Sequence, residues 1–179
     1  IENQELAVEI SPLGAELQSI YDKRMEKEVL WQGDKKYWGR RAPILFPNVV
    51  RLNGDFYLWK GKRFDTKQHG FARDMEFICV TEMDHKLEFS LTDTEKTREY
   101  FPFAFELKIG YTLSGRALQV KWEVKNQGQE TMYFTIGGHP SFRVPGLENT
   151  VQTDYKQLYA FPDRLEYKMI GPGEGTADS

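Results

Sequence analysis

One cysteine, three histidines and no long apolar run narrow the chemistry of this 179-residue chain before any motif is considered. The lone Cys79 excludes an internal disulfide framework and fits a reducing compartment. No apolar stretch approaches the roughly 20 residues that a membrane-spanning helix needs. The opening residues, IENQELAVEI, have neither the basic nor the apolar region of a signal peptide, so a cytoplasmic protein is expected. Charge is nearly balanced, 24 Lys and Arg against 27 Asp and Glu. The resulting net charge of −3 sets up no field for nucleic acid or an anionic membrane, and no basic aromatic platform recurs. His69, His85 and His139 occur in no HxH or HExxH pattern, and a single cysteine forms no CxxC, so no metal site is expected. There is no G-x-S-x-G elbow, and Ser141 lies too close to His139 in sequence for a triad; both argue against serine-type hydrolysis.

What the chain does contain is β structure. Hydrophobic residues make up 40% and aromatics 14%, enough to fill a core in one domain of this length. Leu6, Val8 and Ile10 alternate with charged or small residues, the period-2 mark of a half-buried strand. GAELQSIYD (14–22) repeats the pattern, EVLW (28–31) follows, and Asp34 in GDKKYW (33–38) is placed to cap one helical turn. ILFPNVVRL (44–52) and DFYLWKGKRF (55–64) are expected to form a hairpin across Asn53-Gly54. MEFICVTEM (75–83) and KLEFSLTD (86–93) flank a second turn at Asp84-His85. DTEKTREYF (93–101) predicts a short helix capped by Asp93 or Thr94. FELKIGYTL, RALQVKWEVKN and TMYFTIGG predict three more strands. In the second of these Leu118, Val120, Trp122 and Val124 face one way, and Gln119, Lys121, Glu123 and Lys125 the other. Many short strands joined by tight turns predict an all-β fold, an antiparallel β-sandwich. The Gly- and Pro-rich end, GPGEGTADS (171–179), carries no strand signal.

Among the candidate reactive groups, His85 reads as a solvated turn residue and Cys79, inside an apolar run, as a small buried hydrophobe. His69 in KQHGFARD (67–74) and His139 in TIGGHPSF (135–142) differ from these: each adjoins glycine at a strand end. Glycine lets another group approach the backbone closely, and Pro140 fixes the chain direction after His139. Such a histidine can transfer protons, bind a ligand or simply cap a strand. Arg40, Arg41, Arg51, Arg63 and Arg73 gather in the same stretch of sequence, and Arg51 ends an apolar run, where a guanidinium offers a rigid donor fork. Trp31, Trp38, Tyr57, Trp59 and Phe71 supply flat apolar faces suited to the C–H faces of sugars or to a core.

These pieces together resemble a known family. The run R-x-N-G-D-F-x-x-x-x-G (51–61), then H-G (69–70), then G-G-H-P-x-F (137–142) resembles the aldose 1-epimerase, or galactose mutarotase-like, family. RRAPILFP (40–47), HGFAR (69–73) and GGHPSF look most like its LacX-like branch, and the likeness covers essentially residues 1–165. It implies a β-supersandwich with an open sugar groove, the chain forming a single domain of that type over 1–179. It further implies ring opening and closure that interconvert the α and β anomers of an aldohexose or a hexose 6-phosphate, without metal or organic cofactor. By the same resemblance His139 matches the general acid toward the ring oxygen, His69 the second histidine and Arg51 an arginine that orients the sugar. Arg41 and Phe71 are the further sugar-contact candidates. The resemblance also implies a glutamate base near the family's C-terminus, and neither Glu166 nor Glu174 stands in a matching context. GGHP also departs from the pattern of the galactose enzymes. The chain is therefore expected to be incomplete at its C-terminus, and a noncatalytic carbohydrate-binding or regulatory protein on the same fold stands as the alternative. The expected partner is a small sugar or sugar phosphate.

Overall fold

The computed structural model of the protein describes residues 1–143, which form one folded unit. Glu166, Glu174 and the 171–179 stretch lie outside the described residues.

The chain alternates short antiparallel strands with tight turns. β1 (Leu6–Ser11), β2 (Glu16–Asp22) and β3 (Lys27–Glu28) make one sheet in that order. β4 (Ile44–Leu45) follows, then the hairpin of β5 (Phe56–Trp59) and β6 (Lys62–Asp65). β7 (Ile78–Met83) and β8 (Lys86–Thr92) turn at Asp84-His85 as the sequence predicts. β9 (Phe105–Ser114) and β10 (Ala117–Asn126) complete a four-stranded sheet ordered β10-β9-β8-β7. β11 (Gly137–Gly138) pairs with β4. The predicted helix is α1 (Glu95–Arg98), and Thr94 is its cap, joined to Thr97 in a reciprocal capping box.

The two larger sheets share one core. On β9 the inward residues Phe105, Leu107, Ile109, Tyr111 and Leu113 are buried, and Phe89 and Leu91 of β8 pack with Leu6, Val8 and Leu17 from the other sheet. Burying side chains of this size contributes roughly 1.5–3 kcal/mol each. Two polar ties fix the sheets. The Tyr111 hydroxyl donates to the Ala15 carbonyl at 2.6 Å in the β1–β2 turn, and Arg116 in the β9–β10 turn pairs with the buried Asp22 at 2.5 Å. The β9–β10 register places Val120 opposite Tyr111 and Trp122 opposite Ile109, so the β10 apolar face is the one read from the sequence. Val120 and Trp122 nonetheless remain about 40% exposed.

Several expectations are corrected. Residues 44–52 do not form a long strand: pairing stops after Leu45, Pro47 has no ladder donor, and Val50 takes φ +70°. Asn53–Asp55 is a single 3₁₀ turn rather than a hairpin tip. The hairpin forms inside the next run, where Lys60 and Gly61 both have positive φ, as the favoured two-residue loop requires. EVLW pairs in strand form only through β3, with Leu30 in an isolated bridge to Phe142. TMYFTIGG shortens to Gly137–Gly138. Cys79 is exposed, because β7 is an edge strand among the described residues and bulges between Cys79 and Thr81.

Candidate active site

The segment 41–50 gathers both glycine-flanked histidines. On one side Gly138 pairs with Ile44 and Gly137 with Leu45, while the His139 amide donates to the Pro43 carbonyl at 3.1 Å. On the other side Phe46 bridges Gly70, and the Phe46 carbonyl accepts from the Phe71 and Ala72 amides at 3.0 and 3.1 Å. Gly70 has φ +67°, and a Cβ there would stand 2.2 Å from the Phe46 oxygen, so only glycine fits this crossing. Further bonds lock the frame: Ser141 N to the Arg41 carbonyl at 2.9 Å, and Val49 N to the Thr135 hydroxyl at 2.8 Å.

The glycines before His139 lie close against protein side chains. A Cβ on Gly138 would lie 2.9 Å from the Trp122 indole, and one on Gly137 3.3 Å from Val49. The His139 side chain itself is exposed, with its ring 5.1 Å from that of Trp38 at a 54° tilt. Trp38 sits at the end of the predicted one-turn helix: the Asp34 carbonyl accepts from the Tyr37 and Trp38 amides, and the Trp31 indole N–H donates to the Trp38 carbonyl at 2.8 Å.

His69 is held more tightly. Its backbone has φ +67°, its amide donates to the Val50 carbonyl at 3.0 Å, and its ring Nδ1 accepts from the Val50 amide at 3.0 Å. Its pKa is lowered below the ordinary histidine value, chiefly by burial, then by Arg73 and by His139. Arg73 is itself shifted down, by burial first and by Arg40 next. Its Nη2 donates to the Gln68 carbonyl at 2.8 Å, and its buried Nε has no partner among the described residues.

The other predicted residues fall in different surroundings. Arg51 is exposed and holds Asp55 in a two-point ion pair, Nε to Oδ1 at 2.7 Å and Nη2 to Oδ2 at 2.5 Å. It lines an open cavity of about 590 Å³ with Arg63, Lys67, Gln68 and Tyr100, one residue along the chain from both Val50 and, through Gln68, His69. Arg41 turns its guanidinium away from His139, to the Gln18 side chain at 2.6 Å and the Gln32 carbonyl at 3.3 Å. Its backbone serves the site instead. Phe71 packs into the aromatic core between Phe46 and Phe105, with ring centroids 6.3 and 6.2 Å away. Among the described residues no three His, Cys or acidic side chains gather as metal ligands would.

The family model for aldose 1-epimerase matches residues 1–168. The chain belongs to that family. It is 34% identical to the plasmid-encoded protein LacX of Lactococcus lactis subsp. lactis, over 99% of this chain and 61% of that protein's length. A galactose mutarotase related enzyme from Lactobacillus acidophilus has a solved structure that matches with a TM-score of 0.83 and 41% identity, covering 86% of this chain and 51% of that one. A galactose mutarotase-like protein from Lactobacillus casei matches with a TM-score of 0.79 and 39% identity, over 80% and 49% of the two chains. The chain thus spans about half to three-fifths of these relatives. Family membership and the galactose mutarotase-like fold are as the sequence motifs imply.

Sequence reading passed over three participants in this aldose 1-epimerase frame. Trp38 was visible only as one aromatic among several, and Arg73 as one arginine of five. Val50 acts through its backbone, for which a side-chain motif gives no signal.

Proposed function

We propose that the chain contributes the acid side of a mutarotase site that acts on a neutral aldohexose. The observation that carries this reading is the convergence of the Gly70 and Gly138 loops, which bear His69 and His139, on segment 43–46 within an aldose 1-epimerase fold. In the reaction the anomeric hydroxyl loses its proton while the ring oxygen gains one, and the C1–O5 bond breaks to an open-chain aldehyde. Rotation about C1–C2 and reclosure give the other anomer. His139, exposed and backed by the Trp38 ring, would donate the proton to the ring oxygen and recover it on closure, since an imidazole can both give and accept a proton. Arg51, with Asp55 fixing its fork, would orient sugar hydroxyls.

A neutral sugar is favoured over its 6-phosphate because several of the nearby cations are already engaged. Arg40 pairs with Asp74 at 2.6 Å, Lys60 with Glu130 at 2.5 Å and Arg63 with Asp65 at 2.8 Å, and Arg41 serves Gln18. A second reading is a carbohydrate-binding protein on this fold without turnover. Anomer exchange followed by NMR for glucose, galactose and their 6-phosphates separates the cases. The proposal expects acceleration over buffer for a free hexose and less for its phosphate. Preference for the phosphates would overturn the substrate class, and saturable binding with no acceleration would favour the second reading. Cytoplasmic residence belongs to the same proposal; among the described residues no helix is long and apolar enough to cross a membrane.

A further inference from the structure

His69 and Val50 hold each other through two bonds of opposite sense, and the second one decides which ring nitrogen carries the proton. The Val50 carbonyl accepts from the His69 amide at 3.0 Å, and the Val50 amide points to His69 Nδ1 at 3.0 Å. A peptide N–H can only donate, so Nδ1 must offer a lone pair. In a neutral imidazole with Nδ1 unprotonated, the hydrogen sits on Nε2. The arrangement is held against local preference. Both residues take positive φ, 70° at Val50 and 67° at His69, where a β-branched side chain is rare. Gly70, also at positive φ, and the Phe46 bridge keep the loop in place.

We propose that the Val50 backbone amide locks His69 in its Nε2–H tautomer, making His69 a fixed hydrogen-bond donor in the site and leaving proton transfer to His139. Its surroundings agree. Arg73, from the turn after it, and His139, from the segment after β11, both oppose a positive charge on the ring, and burial adds to them. The Gln68 amide nitrogen stands 3.3 Å from Nε2, and since two donors cannot share one contact, a proton on Nε2 requires that amide to be flipped so that its oxygen faces the ring. Among the described residues His139 has no comparable restraint: its backbone amide is bonded to Pro43, and its ring rests on Trp38. Two histidines in one site thus divide the work, one as an oriented dipole and one as an acid. The division of roles rests on the mutarotase reading; the tautomer does not.

The test is a two-bond ¹H–¹⁵N correlation spectrum of the full chain with ¹⁵N-labelled imidazoles, recorded across a pH series. His85→Gln and His139→Gln assign the three rings by elimination, so the assignment does not depend on altering His69. The expected result is a His69 ring with the Nδ1 signal of an unprotonated, hydrogen-bonded nitrogen and a protonated Nε2 at neutral pH, with a titration midpoint below the ordinary histidine value of ~6.5. A protonated Nδ1 at neutral pH, or a His69 midpoint at or above ~6.5, would overturn the proposal. Because the spectrum needs no sugar and no turnover, its outcome stands whether or not the chain accelerates anomer exchange.

Discussion

His69 and His139 carry the same side chain, and the backbone around each makes the difference. The first accepts a peptide N–H on its ring and is shielded; the second is exposed against an indole. The lowered pKa of His69 has a consequence for stability. Between that lowered value and ~6.5 the unfolded chain binds more protons than the fold does. This contribution is therefore fully present above about pH 6.5 and is lost as pH falls through the folded value. Urea midpoints of the wild type and His69→Gln, measured from about pH 7.5 down to 5, should show a shallower fall in the variant. Equal slopes would contradict the account. At this scale the sequence was partly legible. Glycine beside each histidine marked both loops, but residue type does not record where a long side chain points. Arg41 turns to Gln18 and Phe71 enters the core, because tertiary partners decide those directions.

Segment 41–50 is the element on which the site depends, although only two of its residues are strand. Its carbonyls at Arg41, Pro43, Phe46, Pro47 and Val50 all accept amides from the loops that bear the histidines or from the chain leading to them. Gly70→Ala tests this. The new Cβ meets the Phe46 oxygen, and the positive φ alone costs about 1–2 kcal/mol, so the loss in urea stability should exceed that figure. A wild-type midpoint would show that the crossing is not tight. Tyr111→Phe tests the tie between β9 and the β1–β2 turn: it leaves the buried Ala15 carbonyl without its donor and should cost about 1–3 kcal/mol. No loss would mean that another donor takes over. The alternation of β1, β2, β8, β9 and β10 could be read directly, because period 2 is a local signal. Segment 44–52 misled because its apolar run mimics a strand while its partners, Gly70 and Gly137–Gly138, lie far along the chain. The real hairpin at Lys60-Gly61 was hidden by the stronger-looking Asn53-Gly54.

For the described unit as a whole, Asp22 joins the end of β2 to the β9–β10 turn through Arg116, which also reaches Glu5 at 3.3 Å. Asp22 has a lowered pKa, chiefly because of the Arg116 hydrogen bond and then the Met25 amide. Its contribution is present above the unfolded value of ~3.9 and is lost as pH falls through the lower folded value. Acid unfolding should thus set in at higher pH for Asp22→Asn, with reduced stability at neutral pH as well; an unchanged acid transition would remove Asp22 from the account. All of this architecture serves one claim, that His139 is the acid of a sugar-opening site. The most direct measurement is the rate of anomer exchange of glucose and galactose by magnetisation-transfer NMR, comparing the wild-type chain with His139→Asn. The account predicts exchange above the buffer rate in the wild type and a loss of about 10²–10⁴-fold in the variant, the range for removing a general acid. Equal acceleration by both proteins would contradict it.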